Sequence, residues 1–260
     1  IWNLQKEYYE NLSISESWGK GVIPFFNTSN NFIATLYAKT IKSILDNTQE
    51  NLYIIELGSG HGRFGYLLQN ALDKLYKKKD KPYKHIMTDI SQHNINSWKK
   101  NPKMKKFIDD EVLDFALFDI YSLQDNNLEF GNEKLFDLIS DKNILLISNF
   151  VTSALAFDIF NIKDSNIYEY IVEFNQNLDK VDPYNFNQEM KETKTIFKLN
   201  KIDSKKYYKD NILNDILENY KTIFDNATID IPVKFINCIN HFNKLSRNLT
   251  VLLSDEANSS

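Results

Sequence analysis

Four of the chain's seven glycines fall at Gly58, Gly60, Gly62 and Gly65, directly after the apolar run LYIIEL of residues 52–57. A strand that ends in a glycine-rich turn and enters a helix lets a ligand approach bare backbone beside the helix N-terminus. Polar residues close the apolar runs before and after it: Glu56 in the first, then Asp89 after HIMT, Asp119 after LDFALF and Asn149 after NILLIS. A carboxylate at Asp89 can accept both hydroxyl protons of a ribose. Ligands of open α/β sheets sit at the carboxyl ends of the strands, so four polar strand ends define one candidate crevice.

Other chemistries find little support in the sequence. His61, His85, His93 and His241 share no metal-ligand spacing, and there is one cysteine, Cys238. No Gly-x-Ser-x-Gly elbow occurs. The formal charge of −4 argues against a general affinity for nucleic acid or anionic membrane. The basic runs KLYKKKDKPYK and WKKNPKMKK read as solvated helix ends and loops offset by acidic neighbours. No apolar stretch approaches the roughly 20 residues of a membrane span. The single cysteine excludes an internal disulfide framework and fits a reducing compartment such as the cytoplasm. A first residue Ile1 in place of Met is what a trimmed chain would show.

The elements that must position these residues follow from periodicity. LYIIEL (52–57), HIMTD (85–89), LDFALFD (113–119) and NILLISN (143–149) read as strands. Helical or turn-like stretches separate them, beginning with a helix over 64–78 whose Leu67, Leu68, Ala71, Leu72 and Leu75 share a face. That β-α alternation implies a doubly wound, mainly parallel sheet with right-handed crossovers. Upstream, Ser29 or Asn30 is placed to cap a helix carrying Phe32, Ile33, Leu36, Tyr37, Ile41, Ile44 and Leu45. After residue 160, NIYEYIVEF and KTIFKLN read as a hairpin around DPYNFN. Two helices (204–224 and 233–246, with Pro232 at the start of the second) and a fifth sheet strand, LTVLLSD (249–255), follow.

Two cofactor patterns overlap on the glycine loop. Gly60-x-Gly62-x-x-Gly65 matches a dinucleotide fingerprint. Glu56-x-Gly58-x-Gly60-x-Gly62 resembles motif I of class I S-adenosylmethionine-dependent methyltransferases. Register separates them. The glycine that follows the strand is Gly58, and the dinucleotide pattern started there requires glycine where the chain has Arg63. An acid at Glu56 suits the cationic methionine end of S-adenosylmethionine better than a pyrophosphate.

More narrowly, the chain resembles the mitochondrial complex I assembly-factor arginine methyltransferases and their bacterial relatives. The resemblance rests on IIELGSGHGRFGYLL, IMTDIS, LDFALFD, LISNFVTSALAFDIF and IYEYIVEF, with WGKGVIPFFNTSN upstream, and covers residues 8–174 with an echo at LTVLLSDE. It implies a Rossmann-like methyltransferase sheet with an N-terminal helical segment and an inserted β-hairpin/helical cap after strand four. The implied layout is a helical or lid segment over 1–50, a cofactor-binding core over 51–160, and the inserted hairpin, helices and fifth strand over 161–260, forming one domain. The implied activity is methyl transfer from S-adenosylmethionine to a protein side chain, an arginine or another amine.

By the same resemblance, Glu56, Gly58, Gly60, Gly62, Asp89, Asp119 and Asn149 bind the cofactor, with Asp89 on the ribose and Asp119 on the adenine amino group. Asn149 orients the acceptor, Asp158 or Glu10 accepts its proton or pairs with a cationic substrate, and Tyr37 and Trp18 wall the pocket. Relatives commonly carry an aromatic-Asp pair and a proline where this chain has Thr152, Ser153 and Ala156. That departure motivates an alternative, a cofactor-binding or assembly module that has lost catalysis. An NAD-dependent oxidoreductase is a third reading.

Overall fold

The computed structural model describes residues 2–11, 29–48, 50–76, 81–175 and 193–255. The expected loop WGKGVIPFF with Trp18, and the DPYNFN loop, lie outside them. The chain divides into a larger unit, Lys6–Ala154 with Phe235–Ser260, and a smaller one, Ile1–Gln5 with Leu155–Lys234. Helix α1 (Trp2–Asn11) contributes to both.

The larger unit is a parallel sheet. Its strands are β1 (Leu52–Leu57), β2 (Tyr83–Asp89), β3 (Leu113–Leu117), β4 (Asn143–Asn149) and β9 (Asn248–Ser254), in the order β3-β2-β1-β4-β9. Every neighbouring pair is parallel. The strand order reverses between β1 and β4, the switch point where the crossover helices diverge and leave a crevice. β1 sits at the centre, so both of its faces are covered and Leu52, Ile54, Ile55 and Leu57 are all buried.

Helix α2 (Asn31–Thr48) is capped by Asn30, whose Oδ1 accepts from Ile33 N at 2.9 Å. It buries Ala34, Ala38, Ile41 and Leu45 at helical spacing. Helix α3 (Arg63–Leu75) buries Phe64, Leu68 and Leu72; of the expected face, Leu68 and Leu72 are buried, while Leu67, Ala71 and Leu75 are only partly covered. After β2 come α4 (Gln92–Lys100) and the single turn α5 (Lys105–Asp109), which supply Trp98 and Phe107 to the core. The short α6 (Leu135–Ile139) precedes β4.

The third strand stops two residues short of the expected end. Phe118 N donates to Asp89 O as the last rung to β2, and Asp119 Oδ1 accepts from Tyr121 N, so the chain turns at Asp119.

The smaller unit goes beyond the expected hairpin. It is a four-stranded antiparallel sheet of β5 (Asp158–Lys163), β6 (Asn166–Phe174), β7 (Thr195–Lys201) and β8 (Ala227–Ile231), in the order β7-β6-β5-β8. Helix α7 starts at Asn211 rather than 204, because Asp210 caps it by accepting from Ile212 N. Helix α8 (Val233–Leu245) follows Pro232 and leads into β9. Among the described residues no helix is long and apolar enough to cross a membrane.

Candidate functional site

The glycine loop leaves β1 at the switch point. Gly58, Gly60 and Gly62 have φ of 57°, 55° and 75°, left-handed values that strain any other residue. Space is short as well. A Cβ on Gly58 would lie 2.9 Å from Val151 Cγ2, and one on Gly62 would lie 2.7 Å from the Trp98 ring. Gly65, inside α3, brings that helix onto the sheet: a Cβ there would meet Met87 Sδ at 2.6 Å and Glu56 Oε2 at 2.8 Å.

β2 holds the loop. Ser59 N donates to Thr88 O, and Thr88 Oγ1 donates to Glu56 O, both at 2.8 Å. Asp89 ends β2 buried, its Oδ2 accepting from Gly60 N at 2.8 Å and its Oδ1 from Ser91 N at 2.9 Å. Burial pushes its carboxyl up to about 6, against the opposing pull of the Ser91 and Gly60 N–H groups and Asn94. A carboxylate has about four lone-pair sites, so Asp89 retains capacity to accept from a ligand hydroxyl.

The remaining candidates are distributed as follows. Glu56 is buried behind the loop, its Oε2 lying 3.0 Å from His85 Nε2, although the two are not aligned as a hydrogen bond. His85 Nδ1 accepts from the Gln69 amide at 2.9 Å, which leaves the proton on Nε2, facing Glu56. Asp119 lies in the turn after β3, its Oδ2 accepting from Lys6 Nζ at 2.8 Å. Asn149 ends β4. One step before it Ser148 pairs with Leu57, so Gly58 and Asn149 follow on adjacent strands. Phe150, next in the chain, is a non-glycine residue at φ 56°. Strain of this kind concentrates at functional sites.

The larger unit thus collects Glu56, Gly58, Gly60, Gly62, Asp89, Asp119 and Asn149 at or near the carboxyl ends of β1 to β4. Asp158 stands in the other unit as the first residue of β5, and its Oδ2 accepts from Tyr208 Oη at 2.8 Å. Tyr37 packs edge-on to Phe64 with ring centroids 5.1 Å apart. Glu10 lies 3.8 Å from Lys6 Nζ. Ser153 donates its N–H to Asp255 Oδ2 at 2.9 Å.

A cavity of about 360 Å³ flanks the loop, lined by His61, Gly62, Arg63, Tyr66, Asn101 and Lys103 among others. Burial, then the Arg63 charge, holds His61 down to about 4, so its ring is neutral at pH 7.

Two contributors escape a reading of the sequence. Trp98, buried on α4, donates from its indole Nε1 to Gly60 O at 3.0 Å. Lys6 reaches Asp119 across 113 residues. No residue type or spacing announces either contact.

No family model matches the chain, and no curated protein does. Among solved structures it is similar to an uncharacterized ACR superfamily protein from Burkholderia thailandensis, at 10% identity and a TM-score of 0.44, over 90% of this chain and 51% of that one. It is also similar to a member of that superfamily from the same organism, bound to S-adenosyl-homocysteine. That match has 11% identity and a TM-score of 0.44, over 81% of this chain and 43% of the other. The chain therefore spans about half the length of these structures or less. A likeness at that level bears on neither activity nor ligand.

Proposed function

We propose that the larger unit binds S-adenosylmethionine and that the protein is a methyltransferase acting on a protein side chain, an arginine or another amine. One observation supports the choice of cofactor: the left-handed turn opens at Gly58, directly after β1 and two residues past the acid Glu56, while Asp89, at a strand end where a dinucleotide site also carries an acid, holds the Gly60 N–H. In the dinucleotide register Gly60 would be the first glycine, three residues beyond the last residue of β1 instead of directly after it. Charge favours a ligand without phosphates that carries a sulfonium and an ammonium group. Left-handed glycines bring bare backbone to the ligand, and Asp89 has acceptor capacity left for ribose hydroxyls.

The cofactor supplies its own electrophile, a methyl group on a sulfonium, so the protein's work is positioning and control of the acceptor's proton. Asn149, at the end of β4 beside Gly58, is placed to orient an amine through its side-chain carbonyl. Asp119 can accept from the adenine amino group while shared with Lys6.

A second reading has one observation in its favour. Gly65 packs α3 against the sheet, the service that the third glycine of a dinucleotide fingerprint provides. Calorimetric titration with S-adenosylmethionine, S-adenosyl-homocysteine and NADH separates the two. Micromolar binding of the first two, abolished by Gly60→Val or Asp89→Ala, is expected. Binding of NADH alone would replace this reading with the dinucleotide one.

A further inference from the structure

Gly60 is held from both sides. Its N–H donates to Asp89 Oδ2 at 2.8 Å, and its carbonyl accepts from Trp98 Nε1 at 3.0 Å. These groups belong to the two peptide planes flanking one Cα. Because each plane is rigid, fixing both fixes φ and ψ of the residue between them. The conformation held is left-handed, with φ of 55°. The indole edge that carries Nε1 also lies where a Cβ of Gly62 would be, 2.7 Å away, so one ring braces two of the three left-handed glycines. Trp98 is itself immobilised: it is 1% exposed and packs edge-on to Phe115 at 5.5 Å between centroids.

We infer that Trp98 is a positioning residue for the cofactor loop: its indole N–H pre-forms the Gly60 turn and so raises affinity for the nucleoside ligand. This rests on the reading of the loop as a cofactor cradle. A loop already ordered before binding loses little conformational freedom when the ligand arrives, and that saving appears as affinity. A buried indole N–H needs an acceptor, and here that acceptor is the carbonyl of the glycine whose N–H Asp89 already holds.

The test compares the full-length chain with Trp98→Phe, which retains an aromatic ring and removes the N–H. Two readouts are taken: amide exchange at Gly60 by NMR, and affinity for S-adenosyl-homocysteine by calorimetry. Loss of one hydrogen bond predicts exchange at Gly60 faster by about tenfold and affinity weaker by about tenfold. Thermal unfolding monitors whether the variant is folded. Unchanged exchange at Gly60 overturns the clamp. Faster exchange with unchanged affinity overturns its link to the ligand.

If the variant does not fold, the wild-type chain still decides. Slow exchange of the Trp98 indole N–H, and its further slowing by S-adenosyl-homocysteine, are expected, and rapid exchange in both states overturns the inference. A wild-type chain that ignores S-adenosyl-homocysteine while Gly60 exchange still answers to Trp98→Phe sinks the cofactor reading and with it the affinity role, leaving the clamp as a structural contact only.

Discussion

Lys6 Nζ lies 2.8 Å from Asp119 Oδ2, tying α1 to the turn after β3. The hydrogen bond to Asp119 raises the lysine's pKa, so Lys6 is charged at neutral pH. Lys6 is one-third exposed, which limits the pair to about 0.5–1 kcal/mol and makes it sensitive to salt. Lys6→Met should lower the free energy of unfolding by that amount at low ionic strength. The difference from wild type should shrink in about 0.5 M salt, where the screening length falls to a few ångströms. In a cycle with Asp119→Asn, additive effects would show that the two side chains are not coupled.

Asp89 gives the chain a pH signature. Its carboxyl is raised from 3.8 to about 6 in the folded protein, chiefly by burial. The folded state therefore holds this proton more tightly than the unfolded chain does. The resulting stabilisation is complete below pH 4 and is lost as pH rises through 6. A shift of that size corresponds to roughly 3 kcal/mol. Urea unfolding of wild type and Asp89→Asn across pH 4–7 should show wild type gaining on the variant as pH falls. Affinity for S-adenosyl-homocysteine should run the other way, weakening below pH 6 as the acceptor charge is lost. Parallel stability curves would count against a raised carboxyl at this site.

How far the sequence exposes this arrangement depends on the kind of contact. β1 and β4 are legible to the residue, because a continuous apolar run ends at a polar or glycine residue in each. β3 is read two residues too long: Phe118 and Asp119 extend the pattern, although Leu117 is the last paired residue and the chain turns at Asp119, whose Oδ1 accepts from Tyr121 N. β8 is five residues of alternating pattern between two helices and gives too short a signal to find. Asp89 is legible as a polar strand end, but its bond to Gly60 joins residues 29 apart, and that of Trp98 joins residues 38 apart. In sequence Trp98 is only an apolar residue three after Ile95, at core spacing. Side-chain bonds to distant backbone leave no periodic trace.

Gly62 and Gly65, both tightly packed, should respond differently to alanine. At Gly62 a methyl meets the rigid Trp98 ring at 2.7 Å with φ at 75°, so strain and overpacking add. Gly62→Ala should cost about 2–4 kcal/mol. At Gly65 the nearest atom is the Sδ of Met87, a flexible side chain, and alanine gains about 1 kcal/mol of helix propensity. Gly65→Ala should therefore cost less than Gly62→Ala, as read by thermal unfolding. The reverse order would mean that the Met87 and Glu56 side chains cannot move away from the helix.

Asp158 accepts a hydrogen bond from Tyr208 Oη at 2.8 Å, and the neighbouring Tyr207 bonds Glu169 Oε1 at 2.5 Å. The tyrosine rings meet edge-on with centroids 4.8 Å apart. Burial, together with the bond to Asp158, pushes Tyr208 well above the usual tyrosine range, so it remains a donor at any working pH. Such a pair braces the smaller unit, and a hydrogen bond to a charged acceptor contributes about 1.5–3 kcal/mol. Tyr208→Phe should destabilise by that order, Asp158→Asn by less because its amide oxygen still accepts, and the double variant by little more than Tyr208→Phe alone. Activity decides whether Asp158 does more than brace. If it also serves the acceptor, Asp158→Asn should slow methyl transfer well beyond Tyr208→Phe at matched stability. Equal residual rates would confine Asp158 to the hydrogen bond with Tyr208.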